Sequence, residues 1–269
     1  MIGLTDIEYS LFNVRTYLKL FLFLRIIVVS ISIIIIYLIM KYKDYKKTYK
    51  DVISHNIKEY DKKFLKLGYG IKYPEGHVIR HSKFFKNKNS ILDFGCGNGT
   101  HLNFFKQLKI KNIYGVDTSK IIHKIKNKKF KVYKINEEEN LLKKLNRKFD
   151  IIFSNQVLYY LSDEKISFYF KQFYQMLNKN GLIFTTWMAP KGNYYKYSKK
   201  IKNSEFRELK FNFRLREKTY INFKKKQQIE KIIKGNNFKT LHYGHYDQEM
   251  NHNEPDSGSY HYLNLSKKI

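Results

Sequence analysis

The chain has 269 residues, 43% of them hydrophobic, with only three prolines and no Gly/Ser-rich linker, which suits one large domain with an appendage and excludes a string of small modules. Its formal charge is +29, of which residues 1–40 carry +1; such a charge suits nucleic acid or an anionic membrane face, but the lysines run along the whole chain instead of forming a stripe, as Lys, Asn, Ile and Tyr usage in a very AT-rich genome dictates. A single cysteine, Cys96, excludes an internal disulfide and a cysteine-built zinc site, and suits a reducing, cytoplasmic compartment.

Residues 20–40 read LFLFLRIIVVSISIIIIYLIM, with Arg25 as the one charge. A helix of this length spans about 30 Å, the thickness of a bilayer's hydrocarbon core. Arg25 lies near one end, where it can snorkel, and Tyr17, Tyr37 and Tyr42 stand at interfacial positions. The basic run KYKDYKKTYK follows, so the positive-inside rule directs residues 41 onward to the cytoplasm. No small-residue cleavage site follows the run, against a signal peptide. The membrane span is placed at 18–40 after a tail at 1–17. A start at Met40, which would leave a cytoplasmic chain, is the alternative.

Residues 44–66 carry apolar side chains at helical spacing, and GYGIKYPEGH breaks that pattern. With a short helix at 77–86, residues 41–89 read as a helical extension able to form a lid. From residue 90 strands and helices alternate: strands at 90–94, 112–117, 130–135, 149–155 and 182–187, helices at 99–108, 119–127 and 163–178, the last stopped by Gly181. Residues 191–235 read as a basic, aromatic insertion of about two helices, and 238–247 and 259–268 as two strands forming an antiparallel edge. The expected fold is α/β, a doubly wound, mostly parallel sheet over residues 90–269.

The chemistry concentrates in ILDFGCGNGTHL. A buried strand ends at Asp93, and Gly95, Gly97 and Gly99 follow before a helix. Glycines there permit a sharp turn and close approach of a ligand to the sheet's carboxyl edge. Thr100 stands where a dinucleotide fingerprint needs Gly or Ala, and no Gly-Lys-Ser/Thr is present for a P-loop. The next strand ends at Asp117, 22 residues after Gly95, where a carboxylate can accept both hydroxyls of a ribose.

Together these segments resemble the class I S-adenosylmethionine-dependent methyltransferases, with a Rossmann-like sheet. LDFGCGNG is similar to their first motif, YGVDTS to the second, FDIIFSNQVLYYL to the fourth and LNKNGLIFTT to the turn into strand five. The resemblance implies S-adenosylmethionine as cofactor. It implies that Gly95, Cys96 and Gly97 line it, Asp93 lies near its methionine end, and Asp117 holds its ribose. Asn136 or Glu137, after Ile135, would recognise adenine. Ser154 and Asn155, with Gln156, would face the cofactor and the acceptor.

Ser154-Asn155-Gln156-Val157 departs from the Asn/Asp-Pro-Pro-aromatic motif of enzymes that methylate amino groups of DNA, which leaves O-methylation of a small molecule or glycan precursor as the leading expectation. His77 is the first candidate for a general base, with His81 and His245 behind it. Tyr159, Tyr160 and Trp187 are candidates for lining an acceptor pocket. His242, His245, His252 and His261 invite a metal reading, but 242 and 245 point to opposite faces of a strand, so no metal is expected. Two other functions remain open: a nucleic-acid methyltransferase, motivated by the charge, and a cofactor-binding protein without activity.

Overall fold

The computed structural model describes residues 4–62, 72–125, 129–210, 218–249 and 258–269, with side chains from residue 17 except those of 18 and 249. Helix α1 covers Leu4–Asp61. The chain divides into two compact units, Met1–Thr48 and Tyr49–Ile269. In the first, the large apolar side chains of residues 20–40 are exposed. The Ser32 hydroxyl donates to the Val28 carbonyl at 2.8 Å, and the Arg25 guanidinium lies over the Phe21 ring. Among the described residues this is one helix long and apolar enough to cross a membrane. The two helices expected around residue 41 are one, because no glycine or proline interrupts residues 41–61. The expected continuation to 66 lies outside the described residues.

The second unit is built on a seven-stranded sheet. Strands β1 (Ser90–Phe94), β2 (Asn112–Asp117), β3 (Lys131–Lys134), β4 (Phe149–Ser154) and β5 (Leu177–Met188) are parallel, and β9 (Phe238–Glu249) and β10 (Gly258–Lys268) are antiparallel. The order is β3-β2-β1-β4-β5-β10-β9. The mostly parallel α/β fold with an antiparallel edge is therefore present. Alternate residues feed two cores. Leu92, Phe94, Ile152, Ile183 and Trp187 pack on one face; Ile91, Ile151, Phe153, Leu182 and Phe184 pack on the other. The order reverses between β1 and β4, which opens a crevice at their carboxyl ends.

Helices α2 (Gly76–Arg80), α3 (Thr100–Gln107), α4 (Leu141–Leu145), α5 (Asp163–Met176), α6 (Gly192–Lys196) and α7 (Lys226–Gly235) complete the unit. In α5 the Ser162 hydroxyl caps the Lys165 amide, and Ile166, Tyr169, Phe170, Phe173 and Met176 form its buried stripe.

Four local expectations change. The helix at 119–127 is a short 3-10 turn, Lys120–Lys124, capped by Ser119. Gly181 does not stop α5: Leu177 is already extended and pairs with Phe149, and Asn180 takes the left-handed turn at φ 62°. Helix α4 is too short to show a period and was not expected. The insertion at 191–235 holds two helices, α6 and α7, and in addition a second sheet that was not expected, β6 (Lys199–Lys200), β7 (Arg207–Lys210) and β8 (Lys218–Ile221). Helix α7 buries Ile229 and Ile233 against the main sheet and so belongs to its helical layer.

Candidate active site

The turn after β1 is held from both sides. The amides of Gly95 and Cys96 donate to the Val116 carbonyl at 2.8 and 3.1 Å. Gly95, Gly97 and Gly99 all have positive φ, at 83°, 51° and 82°. A Cβ on Gly95 would lie 2.1 Å from Val157, and one on Gly97 2.6 Å from the Tyr60 hydroxyl. Only glycine fits both positions. Asp117 ties the loop to β2: Oδ2 accepts the Gly97 amide and Oδ1 the Ser119 amide, each at 2.8 Å. Burial raises the Asp117 carboxyl's pKa, opposed by these backbone bonds. The Cys96 thiol packs into the core, where a Cβ on Gly115 would meet it at 2.8 Å, and burial pushes its pKa well up. It is a packing group rather than a nucleophile.

The loop opens on a cavity of about 420 Å³ in the crevice. Of the residues singled out from sequence, Gly95, Cys96, Gly97, Asp117, Glu137, Asn155, Gln156, Tyr159 and Tyr160 line it. Ile135 and Glu137 line the cavity and the exposed Asn136 does not, so Glu137 is the polar residue that the segment after β3 presents. Asp93 and Ser154 are buried behind the lining, each with an unpartnered oxygen among the described residues. Burial pushes the Asp93 carboxyl up to about 7, against the charge of His101. Trp187 lies in the core and donates to the Thr185 hydroxyl, so it does not line the cavity.

His77 stands one side chain back from the wall. Its Nε2 is 2.9 Å from Asn155 Oδ1, and its ring stacks on Tyr246 at 3.8 Å. Burial lowers its pKa, in part offset by the Asn155 bond. Thr186 also donates to Asn155 Oδ1, at 3.2 Å, while the Asn155 amide faces the Glu75 carboxylate at 3.4 Å. Glu75 pairs with His101 at 2.7 Å. Burial opposes ionisation of Glu75, but the His101 bond and charge prevail and hold its pKa below the usual value. His81 bonds the His77 carbonyl, and His245 stacks on Tyr260; neither lines the cavity. His252 lies outside the described residues.

Several wall residues were not anticipated. Ile53, Asn56, Ile57, Glu59 and Tyr60 come from the end of α1, Glu75 and His101 from before and within the core, and Tyr194, Thr219 and Ile221 from α6 and β8. His261, on β10 opposite Met188, lines the cavity although its sequence context suggested only a metal. Among the described residues no group of three or more His, Cys, Asp or Glu could hold a metal ion.

The sequence profile of the family described as methyltransferase domain matches residues 68–243, well over half of the chain. The chain belongs to this family. It is an S-adenosylmethionine-dependent methyltransferase. No curated protein matches its sequence. The methyltransferase is similar in fold to the PH0226 protein of Pyrococcus horikoshii OT3, with 15% identity, a TM-score of 0.54, and coverage of 71% of this chain and 87% of that one. A methyltransferase from Methanosarcina mazei, described as S-adenosylmethionine-dependent, is 11% identical at a TM-score of 0.54, covering 73% and 99%. TehB from Haemophilus influenzae is 15% identical at a TM-score of 0.54, covering 78% and 67%. At these identities the likeness is one of fold.

Proposed function

We propose that this methyltransferase binds S-adenosylmethionine along the β1–β2–β3 half of the cavity and methylates a small molecule, at oxygen, in the β4–β5–β10 half. The observation that carries the reading is the continuity of one cavity from Gly95, Gly97, Asp117 and Glu137 to Tyr159, Met188 and His261. Its volume falls within the range of about 300–1,000 Å³ usual for small-molecule sites.

The residues suit the cofactor. The side-chain-free loop leaves room against the backbone, Asp117 keeps lone pairs for a ribose, and Glu137 offers an acceptor to an adenine amino group. The buried, unpartnered oxygen of Asp93 favours a positive charge nearby. Bound there, S-adenosylmethionine supplies an electrophilic methyl group on a sulfonium centre. The chain's own contribution is to hold the acceptor in line and exclude water. Asn155, fixed by His77 and Thr186, orients groups at the junction of the two halves. His77 thus acts through Asn155. Ile53, Asn56, Ile57, Glu59 and Tyr60 of α1 and Glu75 line the cavity, which supports the reading of the 41–89 extension as a lid.

Residues 18–40 anchor the chain in a membrane with the catalytic domain on the cytoplasmic side, supported by the exposed apolar surface and the basic flank. The test of function is incubation of the full chain with methyl-labelled S-adenosylmethionine and fractionated cell extract. Label in a low-molecular-weight fraction is expected; label confined to RNA or DNA would overturn the small-molecule reading.

A further inference from the structure

Within the proposed small-molecule reading, we infer that the acceptor is an uncharged aromatic hydroxyl compound whose O–H is held by His261.

The acceptor half is walled by Tyr159, Tyr160, Met188, Tyr194 and Ile221. The Tyr159 ring lies 4.5 Å from Tyr160 and 5.7 Å from His261. Flat aromatic walls of this kind suit a flat ring. The polar side chains beside them already have partners. Thr219 donates to Asn56 at 3.1 Å, Gln248 accepts from Gln156 at 3.0 Å, and Ser259 pairs with His261 Nε2 at 2.8 Å. A sugar with many hydroxyls would displace these bonds or leave its own groups unpaired, at a cost in either case.

Two lining side chains differ: Glu59 on α1, whose Oε2 has no partner among the described residues, and His261 on β10, which stands beside the aromatic walls. His261 is 1% exposed, lines the cavity, and its Nδ1 has no partner among the described residues. If Nε2 donates to Ser259, Nδ1 is an acceptor; if Ser259 donates, Nδ1 is a donor. A hydroxyl satisfies either tautomer. When it donates to Nδ1, its oxygen lone pairs stay free to face the methyl group. Burial lowers the imidazole to about 3, so at neutral pH the ring is uncharged and gives an anion no ion pair.

Charge points the same way. The chain has 52 Lys and Arg, yet among the described residues none lines the cavity, whereas Glu59, Glu75, Asp117 and Glu137 do. A phosphate or carboxylate entering the acceptor half finds no Lys or Arg among the described lining residues to pair with.

The test uses the full chain labelled with ¹⁵N-histidine and saturated with S-adenosylhomocysteine. The probes are p-cresol, p-cresyl phosphate, 4-methylbenzoate and methyl glucoside. The Nδ1 signal assigned by its loss in His261→Phe is expected to move with p-cresol and not with the other three. In calorimetry His261→Phe should weaken p-cresol binding at least tenfold with S-adenosylhomocysteine affinity unchanged, and His261→Asn should recover part of the loss. Should the His261 variants fail to fold, Tyr160→Arg, at a half-buried wall position, should gain binding of p-cresyl phosphate. Equal response to the anionic or sugar probes, no response to p-cresol, or a Tyr160→Arg protein still indifferent to the phosphate overturns the inference. Failure to bind S-adenosylhomocysteine would instead overturn the underlying cofactor assignment.

Discussion

Asp117 accepts the amide of Gly97 through one carboxylate oxygen at 2.8 Å, so the residue proposed to hold the ribose also holds the glycine loop in place. The second oxygen is bonded to the Ser119 amide, also at 2.8 Å. Asp117→Asn must turn an NH₂ toward one of these donors. Losing one such buried bond costs about 1–3 kcal/mol. S-adenosylmethionine affinity, measured by calorimetry, should therefore fall by one to two orders of magnitude, and Asp117→Ala should lose more. Unchanged affinity in Asp117→Ala would remove the ribose contact from the reading.

Gly95 faces Val157 closely enough that any side chain collides. Gly95→Ala places a Cβ 2.1 Å from Val157 Cγ2 at a φ of 83°. The left-handed backbone alone costs an alanine about 1–2 kcal/mol, and overpacking typically adds about 1–3. The variant should melt several degrees lower. Gly95→Ala combined with Val157→Ala should recover the steric part and not the backbone part, although deleting the valine methyls has a cost that the Val157→Ala single variant measures. Identical melting of Gly95→Ala and the wild type would refute this loop geometry.

Much of this site was legible because its signals are local. Strands β1 and β2 follow from buried runs, and Gly95, Gly97 and Asp117 from their spacing after them. The acceptor half was not legible, because its residues meet only through long-range folding. Tyr60, Tyr194 and Ile221 lie on three separate elements, and His261 reaches the cavity only because β10 runs antiparallel to β5 and sets it opposite Met188. The small sheet was hidden by two- and four-residue strands rich in lysine, too short for an alternating pattern to outweigh helical propensity. His77 was visible as a histidine beside the core, but its distance from the wall depends on Asn155, which sequence could not place between them.

Asp93 makes stability depend on pH in a direction opposite to a salt-bridged carboxylate. Its carboxyl is 1% exposed and pushed up to about 7 by burial, with His101 opposing and Asp117 and Glu75 adding to the rise. Between the ordinary value of 3.8 and about 7 the folded state holds a proton that the unfolded chain has lost. This contribution is therefore fully present below 3.8 and lost as pH rises through 7. The loss reaches about 4 kcal/mol at most, from a shift of roughly three units. Asp93→Asn should thus gain in melting temperature relative to the wild type between pH 5 and pH 8. S-adenosylmethionine, a cation, should stabilise the wild type more at pH 8 than at pH 5, and the variant less so. A difference between the two proteins that does not change with pH would contradict a buried, protonated Asp93.

The proposed anchor makes a prediction separate from the chemistry. Residues 20–40 expose large apolar side chains at every position except Arg25, the only charge, Ser30 and Ser32, and the unit to which they belong ends at Thr48. In water such a surface would aggregate; in a bilayer it is matched by lipid, with Lys41, Lys43, Lys46 and Lys47 at the anionic headgroups. The full chain should sediment with membranes and resist an alkaline carbonate wash. A chain begun at Met40 should appear in the soluble fraction with its affinity for S-adenosylmethionine intact, since the lining begins at Ile53. In inside-out vesicles protease should digest residues 41 onward, and in right-side-out vesicles it should not. Extraction of the full chain by carbonate would show that this helix does not span, and digestion in right-side-out vesicles would reverse the orientation.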